Sequence, residues 1–157
     1  MATLEELEVR GELFKLVSAK ISPQRREIWI LPDVKHWLTR VLPTLTQFYD
    51  DQQSTPKEQA WQIIASFLRG EELYEEEDFW LMRPSEADVF ELKSPDIRFF
   101  GWFARPKCFI IVAADTFENT HNPPLHNGYR DMVIRVRNAI DLDEPKFVEG
   151  AGPSDVF

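Results

Sequence analysis

Hydrophobic and polar residues alternate along three short segments in the middle of the chain. These segments are rich in phenylalanine, tryptophan, isoleucine and valine, as strands on a half-buried pleated surface usually are. Ser94-Pro95-Asp96 separates the first pair and Arg105-Pro106 the second, and both connections are too short to hold a crossover helix. The pattern therefore predicts an antiparallel meander with strands at residues 88–93, 97–104 and 107–114.

Apolar residues spaced three or four positions apart predict helices before and after this meander. Thr3 and Glu6 match a capping box, and Thr55-Pro56 is a typical helix start, with Gly70 as its end. The remaining predicted elements are a helix at 3–19, a strand at 26–31, a helical stripe at 33–48, a helix at 55–70, a short extra strand at 79–82, a loop at 116–128 and a helix at 129–140.

These elements predict an α+β fold, with three or four mainly antiparallel strands, helices packed on one face, and an extra N-terminal helix. We expect one domain over residues 1–144, with its core at 27–140. Residues 145–157 are expected to be a flexible tail, because they contain glycines and a proline but few apolar anchors. The residues predicted to be buried are Trp61, Leu68, Phe90, Leu92, Phe99 and Phe103.

Charge and composition narrow the range of partners. A net charge of −9 argues against indiscriminate binding to nucleic acid. Residues 92–137 nevertheless contain seven basic and four acidic residues, which leaves room for a local positive site. The six carboxylates between residues 71 and 78 are typical of a solvated loop. Because no long apolar run and no hydrophobic leader is present, we expect a cytoplasmic protein without a membrane partner.

One face of the second predicted strand carries the most informative chemistry. A period of two places Arg98, Phe100 and Trp102 together on that face. A guanidinium beside flat aromatic rings can hold a phosphate and stack a base. An ordinary solvent-exposed face would show the same pattern, so both interpretations stay open at this point.

His121 and Tyr129 lie in or just after the loop that leaves the third strand. A histidine exchanges a proton near neutral pH, a tyrosine donates one or stacks, and an arginine stabilises charge on a phosphate. With Arg98 these groups suffice to cleave RNA without a metal, through attack of the ribose 2′-oxygen on phosphorus. Ordinary loop and capping roles would explain the same residues. His126 and Asp115 match no standard metal-ligand spacing, and no metal is expected.

The order of a strand, helices and a three-stranded meander resembles the RelE/HigB superfamily of toxin–antitoxin ribonucleases. The resemblance covers about residues 27–140, and the matching stretches are Leu81–Pro84, Asp88–Lys93, Ile97–Phe103 and Phe109–Phe117. It implies a RelE-like fold and an mRNA endoribonuclease that works on the ribosome without a metal or cofactor. It also implies a cognate antitoxin protein that holds the nuclease inactive.

Roles for individual residues follow from this resemblance together with the chemistry above. We expect Arg98, His121 and Tyr129 to be catalytic, and Lys93, Trp102 and Arg130 to bind RNA. The chain departs from the family where Lys93 replaces an arginine and where residues 118–121 replace paired lysines. These departures and the acidic charge leave a second function open. It is a catalytically silent RelE-fold binding or regulatory module, for example a ParE-like inhibitor of DNA gyrase.

Overall fold

The computed structural model of the chain describes residues 1–46, 54–121, 124–150 and 152–157. Within these residues, six strands form one sheet. The strands are β1 (Phe14–Lys15), β2 (Glu27–Ile30), β3 (Phe79–Leu81), β4 (Phe90–Lys93), β5 (Ile97–Arg105) and β6 (Cys108–Thr116). The α-helices are α1 (Leu4–Val9), α2 (Pro32–His36), α3 (Pro56–Arg69), α4 (Phe117–His121), α5 (His126–Ala139) and α6 (Pro153–Val156). A π-helical turn at Trp37–Val41 and a 3-10 turn at Leu42–Thr44 follow α2.

The strand order across the sheet is β1-β2-β6-β5-β4-β3. The predicted antiparallel meander is confirmed as β4, β5 and β6, while β2 runs parallel to β6. The α+β class is therefore confirmed, but the sheet is larger than three to four strands and is mixed. Of the outer strands, β3 coincides with the short strand predicted at 79–82, while β1 is only two residues long, too short for an alternating pattern to reveal it.

Two layers of helices bury the sheet, one on each face. Residues of α2, α3 and α6 pack with one set of strand side chains, and residues of α1 and α5 pack with the other. The prediction of helices on one face only is therefore wrong. Phe99 and Phe100 show that both faces of the sheet are covered. They are consecutive on β5 and face opposite sides, yet both are fully buried.

The N-terminal helix is much shorter than the predicted 3–19. Its capping box is confirmed, since the Thr3 hydroxyl accepts from the Glu6 amide while the Glu6 carboxylate accepts from the Thr3 amide. The helix ends at Val9, and Gly11 then adopts a left-handed backbone with φ of 75°. That glycine reverses the chain into β1, which pairs with β2 at the edge of the sheet.

Five of the six residues predicted to be buried are in the core, namely Leu68, Phe90, Leu92, Phe99 and Phe103. The prediction for Trp61 is wrong, because its side chain is 39% exposed. Ala60, Ile64 and Phe67 form the centre of the buried face of α3. Trp61 lies at the margin of this face, where the core gives way to solvent.

The C-terminal segment differs from the expected flexible tail at 145–157. Residues 152–157 form a short turn of helix that returns to the sheet, and Val156 is fully buried. Its backbone oxygen accepts a 2.6 Å hydrogen bond from the Lys107 amide. Phe157 packs between the rings of Phe79 and Phe103, with centroid separations of 4.1 and 5.0 Å.

Parts of three predictions lie outside the described residues: residues 47–48 of the helical stripe, 122–123 of the loop at 116–128, and 151 of the tail. The described part of the predicted loop at 116–128 is not entirely irregular, because it contains the helix α4. Among the described helices, none combines the length and apolar character needed to cross a membrane.

Candidate functional site

Charged and titratable side chains gather at one end of the sheet, on the face covered by α5. The register of the meander explains why, since Arg98 lies opposite Lys93 on one side and opposite Asp115 on the other. The helices α4 and α5 then bring aromatic and imidazole rings over this end. We call the group the Arg98 cluster, and its members are Glu91, Arg98, Asp115, His121, His126 and Tyr129.

Arg98 is at the centre of the cluster and is buried. Its Nε lies 3.0 Å from Oε1 of Glu91, and both side chains are at least nine-tenths buried. Its Nη1 also donates to the backbone oxygens of Ser94 and Ile97, and the guanidinium lies 4.9 Å from the ring centre of Phe117. Both interpretations of the Arg98 face assumed an accessible guanidinium and are therefore wrong on that point, since this cation is held by a buried ion pair and by main-chain acceptors.

Two opposing effects act on the pKa of Glu91. Burial raises the pKa of its carboxyl group above the ordinary value, and the positive charge of Arg98 works against that rise. The Glu91 oxygen that faces Arg98 also lies 4.0 Å from Nε2 of His126. The carboxyl group therefore sits between a permanent cation and a group that becomes one when protonated.

His121 and His126 form the solvent-accessible part of the cluster. Their rings meet edge to face, with centroids 4.5 Å apart, and Nδ1 of His121 lies 3.0 Å from the backbone oxygen of Phe117. Burial, followed by the positive charge of Arg98, lowers the pKa of His126. Burial is also the main reason that the pKa of His121 is lowered. Both imidazoles therefore lose their proton at a lower pH than an ordinary histidine does.

Tyr129 is held at the base of the cluster. Its hydroxyl donates a hydrogen bond to Asp115, and its ring stacks on Phe100 with centroids 4.5 Å apart. Burial and the hydrogen bond to Asp115 together raise the pKa of the phenol well above its ordinary value. Tyr129 is therefore in the predicted neighbourhood, but its hydroxyl is already engaged.

The three residues expected to bind RNA have different surroundings. Lys93 lies beside Arg98, and its Nζ donates to the Glu76 backbone oxygen at 2.7 Å. Arg130 does not join the cluster, because it donates to the backbone oxygen of Arg83 and pairs with Asp131 at 3.0 Å.

Trp102 is fully buried and cannot stack on a base. Its Nε1 donates to the Lys146 backbone oxygen at 2.9 Å. The expectation that its face of β5 is open is wrong, because α1 and α5 cover the part of that face where Trp102 lies.

Glu91, Asp115 and His126 are the members that sequence reasoning did not assign to the site. A signal for Glu91 was present in the turn at 94–96, which sets Lys93 opposite Arg98. Glu91 shares the Lys93 face of β4, so it falls diagonally across from the guanidinium. His126 carried no comparable signal, since only the packing of α5 brings its ring to the cluster.

The described parts of the chain do not favour a metal site or a reactive cysteine. There, no group of three or more histidine, cysteine, aspartate or glutamate side chains is arranged to hold a metal ion. Cys108 is fully buried on β6, and burial raises the pKa of its thiol to about 12. That thiol stays protonated and serves as a small core group.

Comparisons with protein-family models, curated proteins and solved structures each return no match. The chemistry of the Arg98 cluster is therefore the basis for assigning a function. Two imidazoles in contact can accept and relay protons, and the neighbouring cation and carboxyl group influence which of them is protonated. Such a set can carry out acid–base chemistry on an anionic substrate without a metal.

Proposed function

We propose that the chain is a metal-independent endoribonuclease whose active site is the Arg98 cluster. The observation that carries the proposal is the contact between His121 and His126 beside the buried pair of Arg98 and Glu91. Titratable groups with pKa values shifted by burial, gathered at an accessible point, are typical of active sites. The resemblance of about residues 27–140 to RelE/HigB ribonucleases points to the same reaction.

In the proposed reaction, the ribose 2′-oxygen attacks the adjacent phosphorus and the bond from phosphorus to the 5′-oxygen breaks. His121, the more exposed histidine, accepts the 2′-hydroxyl proton, and a protonated His126 beside Glu91 delivers a proton to the leaving oxygen. Arg98 provides positive charge beneath the phosphate, and Lys93 contacts the RNA backbone. Tyr129 positions the cluster through its bond to Asp115.

The resemblance also sets the proposed substrate and partner. The substrate would be mRNA on the ribosome, and an antitoxin protein would hold the nuclease inactive. A net charge of −9 suits an enzyme that depends on one RNA context more than on general attraction to polyanions.

Expression in bacteria, with growth and mRNA integrity followed over time, tests the proposal together with cleavage assays containing purified ribosomes. The wild-type chain should arrest growth and cut mRNA. His121→Ala and His126→Ala should each lower cleavage by roughly 10²–10⁴-fold, the usual contribution of a general acid or base. The matched control is His36→Ala, because His36 is exposed on α2 away from the cluster.

The pH profile provides a second check. Because the pKa values of both histidines are lowered from 6.5, the proposed base becomes neutral at a pH below 6.5. Cleavage should therefore follow a bell-shaped pH profile with its maximum below pH 6.5, rising as His121 loses its proton and falling as His126 loses its own. A rise in cleavage centred at or above pH 6.5 would contradict the assignment of His121 as the base, and a rate that stays level at higher pH would contradict the assignment of His126 as the acid.

A catalytically silent binding or regulatory module is the second candidate function, and one observation favours it. The Arg98 guanidinium is neutralised by Glu91, and the Tyr129 hydroxyl is bonded to Asp115, so two predicted catalytic groups already have structural roles. If wild type neither arrests growth nor cuts RNA, with or without ribosomes, the nuclease proposal fails and the binding module takes its place.

A further inference from the structure

A polar cleft of about 560 Å³ opens at the end of the sheet, between α3 and the turn that joins β4 to β5. Its volume lies in the usual range for sites that bind small molecules. One wall is α3, another is the turn between β4 and β5, and the third is the acidic segment that precedes β3. The residues that matter here are Gln62, Ser66, Glu77, Asp78, Lys93 and Ser94.

The cleft offers hydrogen-bonding groups that the fold does not use. The Ser94 hydroxyl is buried and has no hydrogen-bond partner within the described part of the chain. By contrast, the Gln59 amide, which also lines the cleft, exchanges two 2.8 Å hydrogen bonds with Asp96 and is therefore structural. A buried hydroxyl without a partner costs free energy unless a bound group satisfies it.

Charges of opposite sign line the cleft. The Lys93 ammonium donates one hydrogen bond to the backbone oxygen of Glu76, which leaves two of its three donors for a ligand. The carboxylates of Glu77 and Asp78 provide acceptors in the same cleft. A ligand that satisfies both signs carries an anionic group for Lys93 and an amino donor for the carboxylates.

We propose that this cleft binds a nucleotide whose base carries an exocyclic amino group, and that it selects cytosine over uracil. This inference rests on the proposed function, since the nucleotide would be the neighbour of the one cleaved. Lys93 links the two sites because it lies opposite Arg98 across β4 and β5. Aspartate and glutamate accept hydrogen bonds from the cytosine amino group, whereas uracil presents an oxygen at that position.

Titration of the ¹⁵N-labelled chain with CMP and with UMP tests the inference without any cleavage step. CMP should shift the amide signals of residues 62–66, 93 and 94, and its Kd should be roughly 10-fold below that of UMP, as expected for one good base contact. Glu77→Gln should remove this preference, and Glu72→Gln is the matched control because Glu72 is an exposed acid outside the cleft. Lys93→Met should weaken both nucleotides.

Asp78 is less suitable for substitution, because its carboxylate also accepts a 2.8 Å hydrogen bond from the Tyr74 amide. Equal affinities for CMP and UMP, no shift at millimolar concentration, or the same shifts with inorganic phosphate alone would each overturn the inference. If the chain cuts RNA but does not bind CMP, the inference about the cleft is refuted and the proposed function stands. If the chain binds CMP selectively but cuts no RNA, the proposed function is refuted and the inference about the cleft stands.

Discussion

Arg98 and Glu91 stabilise each other as charged side chains shielded from water. Arg98→Ala leaves Glu91 buried without its cation, and the free energy of unfolding should fall by about 3–5 kcal/mol. The double variant Glu91→Leu/Arg98→Met should recover most of that loss, because apolar side chains of similar size fill the buried space and leave no unpaired charge there. Urea unfolding of wild type, Arg98→Ala and the double variant measures both effects.

A loss below about 1 kcal/mol in Arg98→Ala would mean that the pair is solvated and contributes like a surface ion pair. The same variant is a poor test of catalysis, because a fall in RNA cleavage would combine lost chemistry with lost stability. His121 and His126 are better positions for that test, since their side chains lie at the accessible edge of the cluster.

The residues of the site were only partly predictable from sequence. Alternation on β5 correctly groups Arg98 with Phe100, but it does not reveal whether the shared face is open or covered. The answer depends on α5, whose Tyr129 ring stacks on Phe100 from a distant part of the chain. A short-range pattern carries no information about such a contact, and Trp102 was misassigned for the same reason.

At the scale of elements, Gly101 permits an irregularity in the longest strand pair. The register of β5 and β6 shifts between Phe100 and Gly101, and a Cβ on Gly101 would lie 1.9 Å from the Ile110 backbone oxygen. Gly101→Ala should therefore destabilise the fold by about 1–3 kcal/mol or more, as overpacking does. Thermal melts compare it with Gly128→Ala on α5, where an added Cβ meets nothing within 4 Å.

Gly128→Ala should stabilise by up to about 1 kcal/mol, because Gly128 lies in the first turn of α5 and alanine favours helical backbone more than glycine does. The two substitutions make the same chemical change, so opposite signs would show that the backbone approach at Gly101 matters. A Gly101→Ala variant as stable as wild type would mean that β5 and β6 can separate locally without cost.

The C-terminal segment should contribute to stability. Deletion of residues 153–157 removes the buried Val156 and the aromatic contacts of Phe157. We expect a loss of about 3–5 kcal/mol, the range of a large core truncation. Denaturant melts of the deletion and of Ser154→Ala, a change at an exposed position of the same segment, measure it. A deletion that melts like wild type would show that the segment is detached in solution.

Elements with strong local signals were predicted well, and elements defined by distant contacts were not. The cap at Thr55 and the left-handed Gly70 delimit α3 as expected. The segment at 152–157 carries glycine and proline, which are typical of mobile tails. It is ordered because Phe157 finds a site among phenylalanines of α3 and three strands. That site is assembled only when the sheet has formed.

At the scale of the whole molecule, one sheet separates two hydrophobic cores. The first core contains Phe99 and the α3 residues, and the second contains Phe100, Trp102 and the α5 residues. Because consecutive residues of β5 belong to different cores, loss of packing on either face disturbs the strand that both cores share. The two cores should therefore unfold together.

Phe99→Ala and Phe100→Ala test this organisation with one chemical change at consecutive positions. Each ring is fully buried, so each substitution should cost about 3–5 kcal/mol. Both variants should unfold in one transition, with tryptophan fluorescence and far-UV circular dichroism changing at the same urea concentration. If the Phe100 face were open to solvent, Phe100→Ala would cost less than about 1 kcal/mol. Two separated transitions in either variant would instead show that the cores are independent and that β5 does not couple them.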